Sequence, residues 1–216
     1  MTIRAIIFDL DGTLYVDDGL SREIYRSACR SLAKIKGGLT LERADRLLNE
    51  TTERLSGIEG YRVSLTRSCS ELGIDLRELH RHFSEDISPE LFLRRDERVV
   101  ALLQRLAGRY DLYLYTNNNR CLAVRIMQLI GIEALFRKVY SIEDSWQPKP
   151  DREVLAGMLQ EIGCEPRQCL FVGDRYQIDL MLPEKMGAQV FLSKKIEELL
   201  TLDRFLADKE GPEGPS

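Results

Sequence analysis

No apolar run in this chain of 216 residues is long enough to span a bilayer as a helix. The N-terminus runs straight into an apolar, strand-like stretch and lacks the cleavage region of a signal peptide, so a cytoplasmic location is the expectation. Cysteine is scarce and unorganised. Its five residues, Cys29, Cys69, Cys121, Cys164 and Cys169, are odd in number and lack metal-ligand spacing. They read as reduced core or helix residues, not as a disulfide frame or a zinc site. Packing is also the plainer role for Cys121, although it stands close to a polar motif described below. Neither sign of charge dominates: the net charge of −4 argues against a nucleic-acid polymer as partner. No internal repeat is found. The remaining composition, 44% hydrophobic and 31% charged, is that of a globular protein with length for one domain and a substantial insertion.

The most informative stretch is Ile3 to Leu14. Ile6, Ile7 and Phe8 form a short apolar run, as a buried strand would. Asp9 and Asp11 follow at once, and Gly12 and Thr13 break the strand. Two carboxylates at the end of a buried strand are costly unless a cation or a proton compensates them. That points to a hard metal ion held by oxygen ligands, magnesium before others.

From Leu20 to about Phe92 strand signals vanish and helical ones take over. Ile24, Ala28, Leu32 and Ile35 share one helical face, with Ser21 as candidate cap and Gly37-Gly38 as stop. A second amphipathic helix follows Thr40. A third is expected from about Ile58 to Leu72, ending at Gly73. A fourth opens with Asp75 and Glu78 in capping-box spacing. From Asp96 strands and helices alternate. Helices are expected at Val99–Leu106, Leu122–Ile130 and Val154–Ile162. Strands are expected at Leu112–Tyr115, Val139–Ser141, Cys169–Val172 and Ala188–Leu192. This alternation predicts an α/β fold, a doubly wound and mostly parallel sheet, with a small all-helical cap inserted after the first strand. The expected divisions are a core of residues 1–14 and 94–206, a cap of residues 15–93, and a disordered polar tail over 207–216.

In open parallel sheets, ligands bind at the carboxyl ends of the strands. Asp9 and Asp11 end the first strand, Thr116 and Asn117 end the second, and Gly173-Asp174 ends Leu170–Val172. Residues distant in sequence therefore meet at one edge. The run Asp9 to Leu14 resembles the first motif of the haloacid dehalogenase-like hydrolases at every position. Thr116 resembles the second motif. Lys149 in Gln-Pro-Lys-Pro resembles the third, and Gly173-Asp174 followed by Asp179 the fourth. Each later motif alone would be a turn or a surface lysine; all of them in order, each at a strand end, make that plainer reading improbable.

This resemblance implies a Rossmann-like core and a magnesium-dependent phosphomonoester hydrolase that acts through an aspartyl-phosphate. It implies Asp9 as nucleophile, Asp11 as general acid and base, and Lys149 as the group that neutralises charge. Thr116 and Asn117 would bind the phosphoryl oxygens. Magnesium would be held by Asp9, the main-chain carbonyl of Asp11, and Asp174, with Asp179 as a ligand or a support through water. Keeping an acid at Asp11 favours phosphoryl chemistry, because the carbon–halogen dehalogenases lack it. The alternatives are a phosphotransferase or phosphomutase on the same scaffold, and a non-catalytic binding protein. A small phosphorylated metabolite is the expected partner, with a nucleotide, a sugar phosphate and phosphoglycolate all open. Thr116 to Asn119 and the flap at Tyr15 resemble nucleotidase-like members. Arg62, Arg67, His80 and His82 are candidates to touch the leaving group, against the plainer reading that they solvate helix faces. Pro183 departs from the family pattern, since it interrupts the helix expected after Asp179.

Overall fold

The computed structural model describes residues 2–210. Five parallel strands form one sheet in the order β3-β2-β1-β4-β5: β1 (Ala5–Phe8), β2 (Asp111–Tyr115), β3 (Lys138–Tyr140), β4 (Cys169–Gly173) and β5 (Gln189–Leu192). β1 lies in the centre, paired with β2 on one side and β4 on the other. All four of its residues are buried, which accounts for an apolar run without alternation. Successive side chains still take opposite faces. Ile6 and Phe8 join one buried cluster, and Ala5 and Ile7 join the other.

Between β1 and β2 the chain forms α1 (Asp18–Ile35), α2 (Leu41–Glu59), α3 (Leu65–Glu71) and α4 (Leu76–Asp86), then α5 (Glu97–Ala107) of the sheet layer. Leu32, Leu48 and Leu79 of the inserted helices belong to the same apolar cluster as Ile6 and Phe8. The inserted helices pack chiefly on one another, and burial is worth roughly 2 kcal/mol for each such side chain. The alternation then continues with α6 (Arg120–Leu129), α7 (Arg152–Ile162), α8 (Met181–Lys185), α9 (Ile196–Leu199) and α10 (Leu202–Glu210). Among the described residues no helix is long and apolar enough to cross a membrane.

Three local expectations are corrected. The first helix is capped by Asp17, whose carboxylate accepts from the Leu20 amide, and not by Ser21, which lies a turn inside. The single helix expected over Ile58 to Leu72 is two elements. Gly60, at φ 75°, ends α2, and Ser64 caps α3 by accepting from the Arg67 amide. A glycine in the left-handed region closes a helix where other residues strain. The tail expected to be disordered from 207 is helical through Glu210, as the end of α10; the rest of that expectation, 211–216, lies outside the described residues. Pro183 acts as anticipated. Tyr176–Leu180 forms a wide π-helical turn, and the α-helix starts only at Met181, so the proline falls in the first turn, where its missing N–H costs little.

Candidate active site

β1 delivers Asp9 to the sheet edge. Its amide donates to the Val172 carbonyl of β4 at 2.8 Å, which holds the strand ends side by side. The carboxyl group is buried, with the residue 5% exposed. Thr13 donates to Asp9 Oδ2 at 3.3 Å. Gly12 adopts φ +86° and lies so close to Asp174 that a Cβ there would sit 2.7 Å from its Oδ2. Glycine is therefore required twice, by conformation and by space.

Lys149, on the loop before α7, points its ammonium group into this edge. Nζ donates to Asp9 Oδ1 at 2.7 Å, to Asp179 Oδ1 at 2.6 Å and to the Tyr115 carbonyl at 2.9 Å. All three donors of the ammonium are thereby used. Its main-chain amide donates to Asn117 Oδ1 at 2.7 Å, which ties the lysine loop to the end of β2. Burial alone would depress the lysine pKa, but Asp179 and Asp9 outweigh it and hold the group well above the ordinary range. Asp179 also accepts from the Arg175 amide at 3.1 Å. A Cβ on Gly173 would meet the Asp179 Cβ at 2.5 Å, so this acid too is held against a glycine.

Asp11 sits one residue on and has entirely different partners. The Tyr15 hydroxyl donates to its Oδ1. Asn118 Nδ2 lies 3.2 Å from both carboxylate oxygens, and Thr116 Oγ1 lies 3.5 Å from Oδ2. Burial raises the Asp11 pKa, and the Tyr15 bond and the nearby Arg175 and Lys149 charges oppose that rise. Tyr15 is itself raised well above its usual value, by burial and by Asp11, and so remains a donor.

Carboxylate oxygens of Asp9, Asp174 and Asp179 lie within 4.8 Å of one another. Burial, followed by Asp179, Asp11 and Asp174, raises Asp9 against the opposing pull of Lys149. Burial and Asp179 push Asp174 up to about 6. Asp174 Oδ1 is buried and has no hydrogen-bond partner; the nearest cation, Arg175, is 3.7 Å away. Four carboxylates share this pocket with the charges of Lys149 and Arg175, and when all four are ionised two negative charges are left over. A hard divalent cation held by oxygens fits that surplus and the orphaned oxygen. Asp9, Asp174 and Asp179 are the carboxylates that could hold such an ion. The Asp11 side chain is not part of that cluster, which leaves its main-chain carbonyl as the possible ligand.

A cleft of about 280 Å³ opens over this edge, lined on the sheet side by Asp11, Gly12, Asn117, Asn118, Asp174 and Arg175. α1, α3 and α4 supply its other wall, with Ser21, Ile24, Ser64, Thr66, His80 and Phe83 among its residues. Asn117 lines the cleft with a buried, unpartnered Nδ2, while its oxygen serves Lys149. Thr116 is buried and its Oγ1 accepts from the Asn118 amide at 3.0 Å. Sequence reasoning did not assign Asn118, Arg175, Thr13 or the Tyr15 hydroxyl to the site. Asn118 belongs to the polar run after β2 and Arg175 directly follows Gly173-Asp174, so position offered a signal for both. The helix-face reading of His80 and His82 is overturned, since both are buried. His82 lies 3.0 Å from Ser31 and 3.3 Å from Lys34, away from the cleft. Arg67 lines an adjoining cavity with Tyr61 and Pro148, which reaches Lys149 and shares Ser64 with the cleft.

Comparison with known proteins agrees with this geometry. The family model of the haloacid dehalogenase-like hydrolases matches residues 3–187. Pyrophosphatase PpaX of Bacillus velezensis is 30% identical over 193 residues, covering 87% of this chain and 81% of that protein. Glyceraldehyde 3-phosphate phosphatase of Methanothermobacter thermautotrophicus is 23% identical over 214 residues, covering 97% and 92%. The structure of YfnB from Bacillus subtilis, described as a HAD-hydrolase bound to magnesium, superposes with a TM-score of 0.58 at 16% identity, covering 95% of this chain and 99% of that one. The family match spans the sheet edge, the lysine loop and the Gly-Asp turn alike, and the chain belongs to the haloacid dehalogenase-like hydrolases.

Proposed function

We propose that this chain is a cytoplasmic, magnesium-dependent phosphomonoester hydrolase of small phosphorylated metabolites, working through an aspartyl-phosphate on Asp9. The observation that carries the reading is the contrast between two acids one residue apart. Asp9 lies among the metal-competent carboxylates with Lys149 at 2.7 Å, as a nucleophile needs. Asp11 is held apart from them by Tyr15 and Asn118, as a proton carrier needs. The named activities of PpaX and the archaeal phosphatase, both on small phosphorylated compounds, support phosphoryl chemistry. The magnesium in the YfnB structure supports the choice of ion.

A phosphate monoester is a dianion and repels a carboxylate nucleophile. Magnesium, held by Asp9, Asp174 and Asp179, would screen that repulsion and polarise the phosphoryl group. Lys149 adds a fixed positive charge at Asp9 and orients its carboxylate. An Asp9 oxygen attacks phosphorus as the bond from phosphorus to the leaving oxygen breaks. Asp11, whose burial favours the protonated form, gives its proton to that oxygen. The ionised Asp11 then takes a proton from water. The hydroxide attacks phosphorus, the bond to Asp9 breaks, and phosphate leaves with both acids restored. Thr116 and the Asn117 amide donate to the phosphoryl oxygens. Residues 15–93 act as a cap that covers the cleft and excludes water.

Phosphate release from a panel of metabolite phosphates, with and without magnesium, tests this reading beside an Asp9→Asn control. Magnesium-dependent release that Asp9→Asn lowers by at least about 10⁴-fold is expected. Folded protein that releases no phosphate from any compound refutes it.

A further inference from the structure

The helices opposite the catalytic edge present a wall without charge. α1 contributes Ser21 and Ile24, α3 and its cap contribute Ser64 and Thr66, and α4 contributes His80 and Phe83. Arg175, on the sheet side, is the one cation lining the cleft among the described residues, and it faces Asp174 and Asp179. Within this wall His80 stands out. It is 2% exposed, lines the cleft, and neither ring nitrogen has a hydrogen-bond partner.

Its main chain is held and its ring is packed against aromatic neighbours. The His80 carbonyl accepts from Asn119 Nδ2 at 3.1 Å and from Ser84 Oγ at 3.1 Å. Asn119 in turn caps α6, accepting from the Leu122 amide at 2.8 Å. The imidazole packs edge-on against Phe83, with ring centroids 5.2 Å apart, and lies beside Trp146. The loop that brings Thr116 and Asn117 to the phosphoryl site therefore also fixes the position of His80. Burial pushes its pKa down to about 4, so the ring is neutral at ordinary pH, with one nitrogen a donor and the other an acceptor. As packing alone this is a poor arrangement, because an apolar side chain would fill the space without stranding two polar atoms. As a recognition device it suits a ligand that both donates and accepts.

We propose that the cleft selects a phosphate ester whose leaving group is neutral and hydroxyl-bearing, a small sugar or polyol, and that His80 recognises its hydroxyls. This rests on the phosphatase reading and narrows it. A hydroxyl can serve either nitrogen of a neutral imidazole, and Ser21 and Thr66 extend the hydroxyl-binding wall. A leaving group carrying a second phosphate or a carboxylate would bury charge against this wall, where no described cap residue lining the cleft is a cation. Pyrophosphate and phosphoglycolate are accordingly poor substrates.

The test compares kcat/KM for glycerol 3-phosphate and ribose 5-phosphate with that for pyrophosphate and phosphoglycolate. p-Nitrophenyl phosphate, whose leaving group has no further hydroxyl, serves as reference. The sugar and polyol phosphates are expected to exceed both anionic substrates at least tenfold. In His80→Leu they lose about 10- to 100-fold, mostly through KM, and at least ten times more than p-nitrophenyl phosphate loses. His80→Gln, which keeps a donor and an acceptor, recovers part of that loss. Preference for pyrophosphate or phosphoglycolate by the wild-type protein overturns the proposal while leaving the phosphatase reading intact. So do equal losses on all substrates in the two His80 variants. No hydrolysis of any compound, p-nitrophenyl phosphate included, overturns both.

Discussion

Two nitrogen bases are buried on opposite sides of the cleft, Lys149 in the sheet layer and His80 in the cap. Lys149 has an acceptor for each of its three donors, and two of those acceptors are carboxylates. Its charge is kept. His80 has no acceptor and no donor within reach, and its charge is expelled. Similar burial thus yields a permanent cation in one region and a neutral ring in the other. Burial taxes charge in both; partners decide whether the charge survives. The sheet edge is thus the charged wall of the cleft and the helical side the uncharged one.

Replacing Lys149 should break this comparison most severely. Lys149→Met leaves Asp9 and Asp179 buried without their cation. A loss of about 3–5 kcal/mol in unfolding free energy is expected by denaturant titration, with kcat reduced about 10²- to 10³-fold. His80→Leu removes stranded polar atoms, and its Tm should equal or exceed that of the parent. A fall of many degrees in His80→Leu would show that the ring has structural partners after all.

An intermediate effect is expected from magnesium. The pKa values of Asp9 and Asp174 are raised above their unfolded value near 3.8, Asp9 to about 7 and Asp174 to about 6, mainly by burial. Folding therefore favours their protonated forms. That contribution is complete below about pH 3.8 and is lost as pH rises through 6 to 7. The ion binds the ionised forms, so its rise in Tm should be small at pH 5 and larger at pH 7.5. Equal shifts at both pH values would exclude these acids as ligands.

Tyr15→Phe should have the smallest effect. The tyrosine bond holds the Asp11 pKa down against burial, so its removal lets that pKa rise. The limb of the pH–rate profile that belongs to Asp11 should move to higher pH. An unmoved limb would separate Tyr15 from the proton carrier.

Much of this was readable before any coordinates. The apolar run ending in Asp9-Leu10-Asp11-Gly12-Thr13, and the strand ends at Thr116 and Asp174, are local patterns with local causes. A parallel sheet needs buried strands and brings their carboxyl ends together, so the sequence alone determined the α/β fold and the edge where the acids gather. Helix boundaries were less legible where competing signals lay close, as at Gly60 and Ser64, because a cap and a continuation use similar residues. The side-chain pairings were not readable at all. Asp9 and Asp11 are the same residue type one position apart, and only the folded chain assigns one to Lys149 and the other to Tyr15 and Asn118. His80 and His82 look alike on α4. Only tertiary packing decided that His82 finds Ser31 while His80 faces the cleft without partners. Charge state and partner choice depend on burial and on neighbours distant in sequence, and those exist only once the chain has folded.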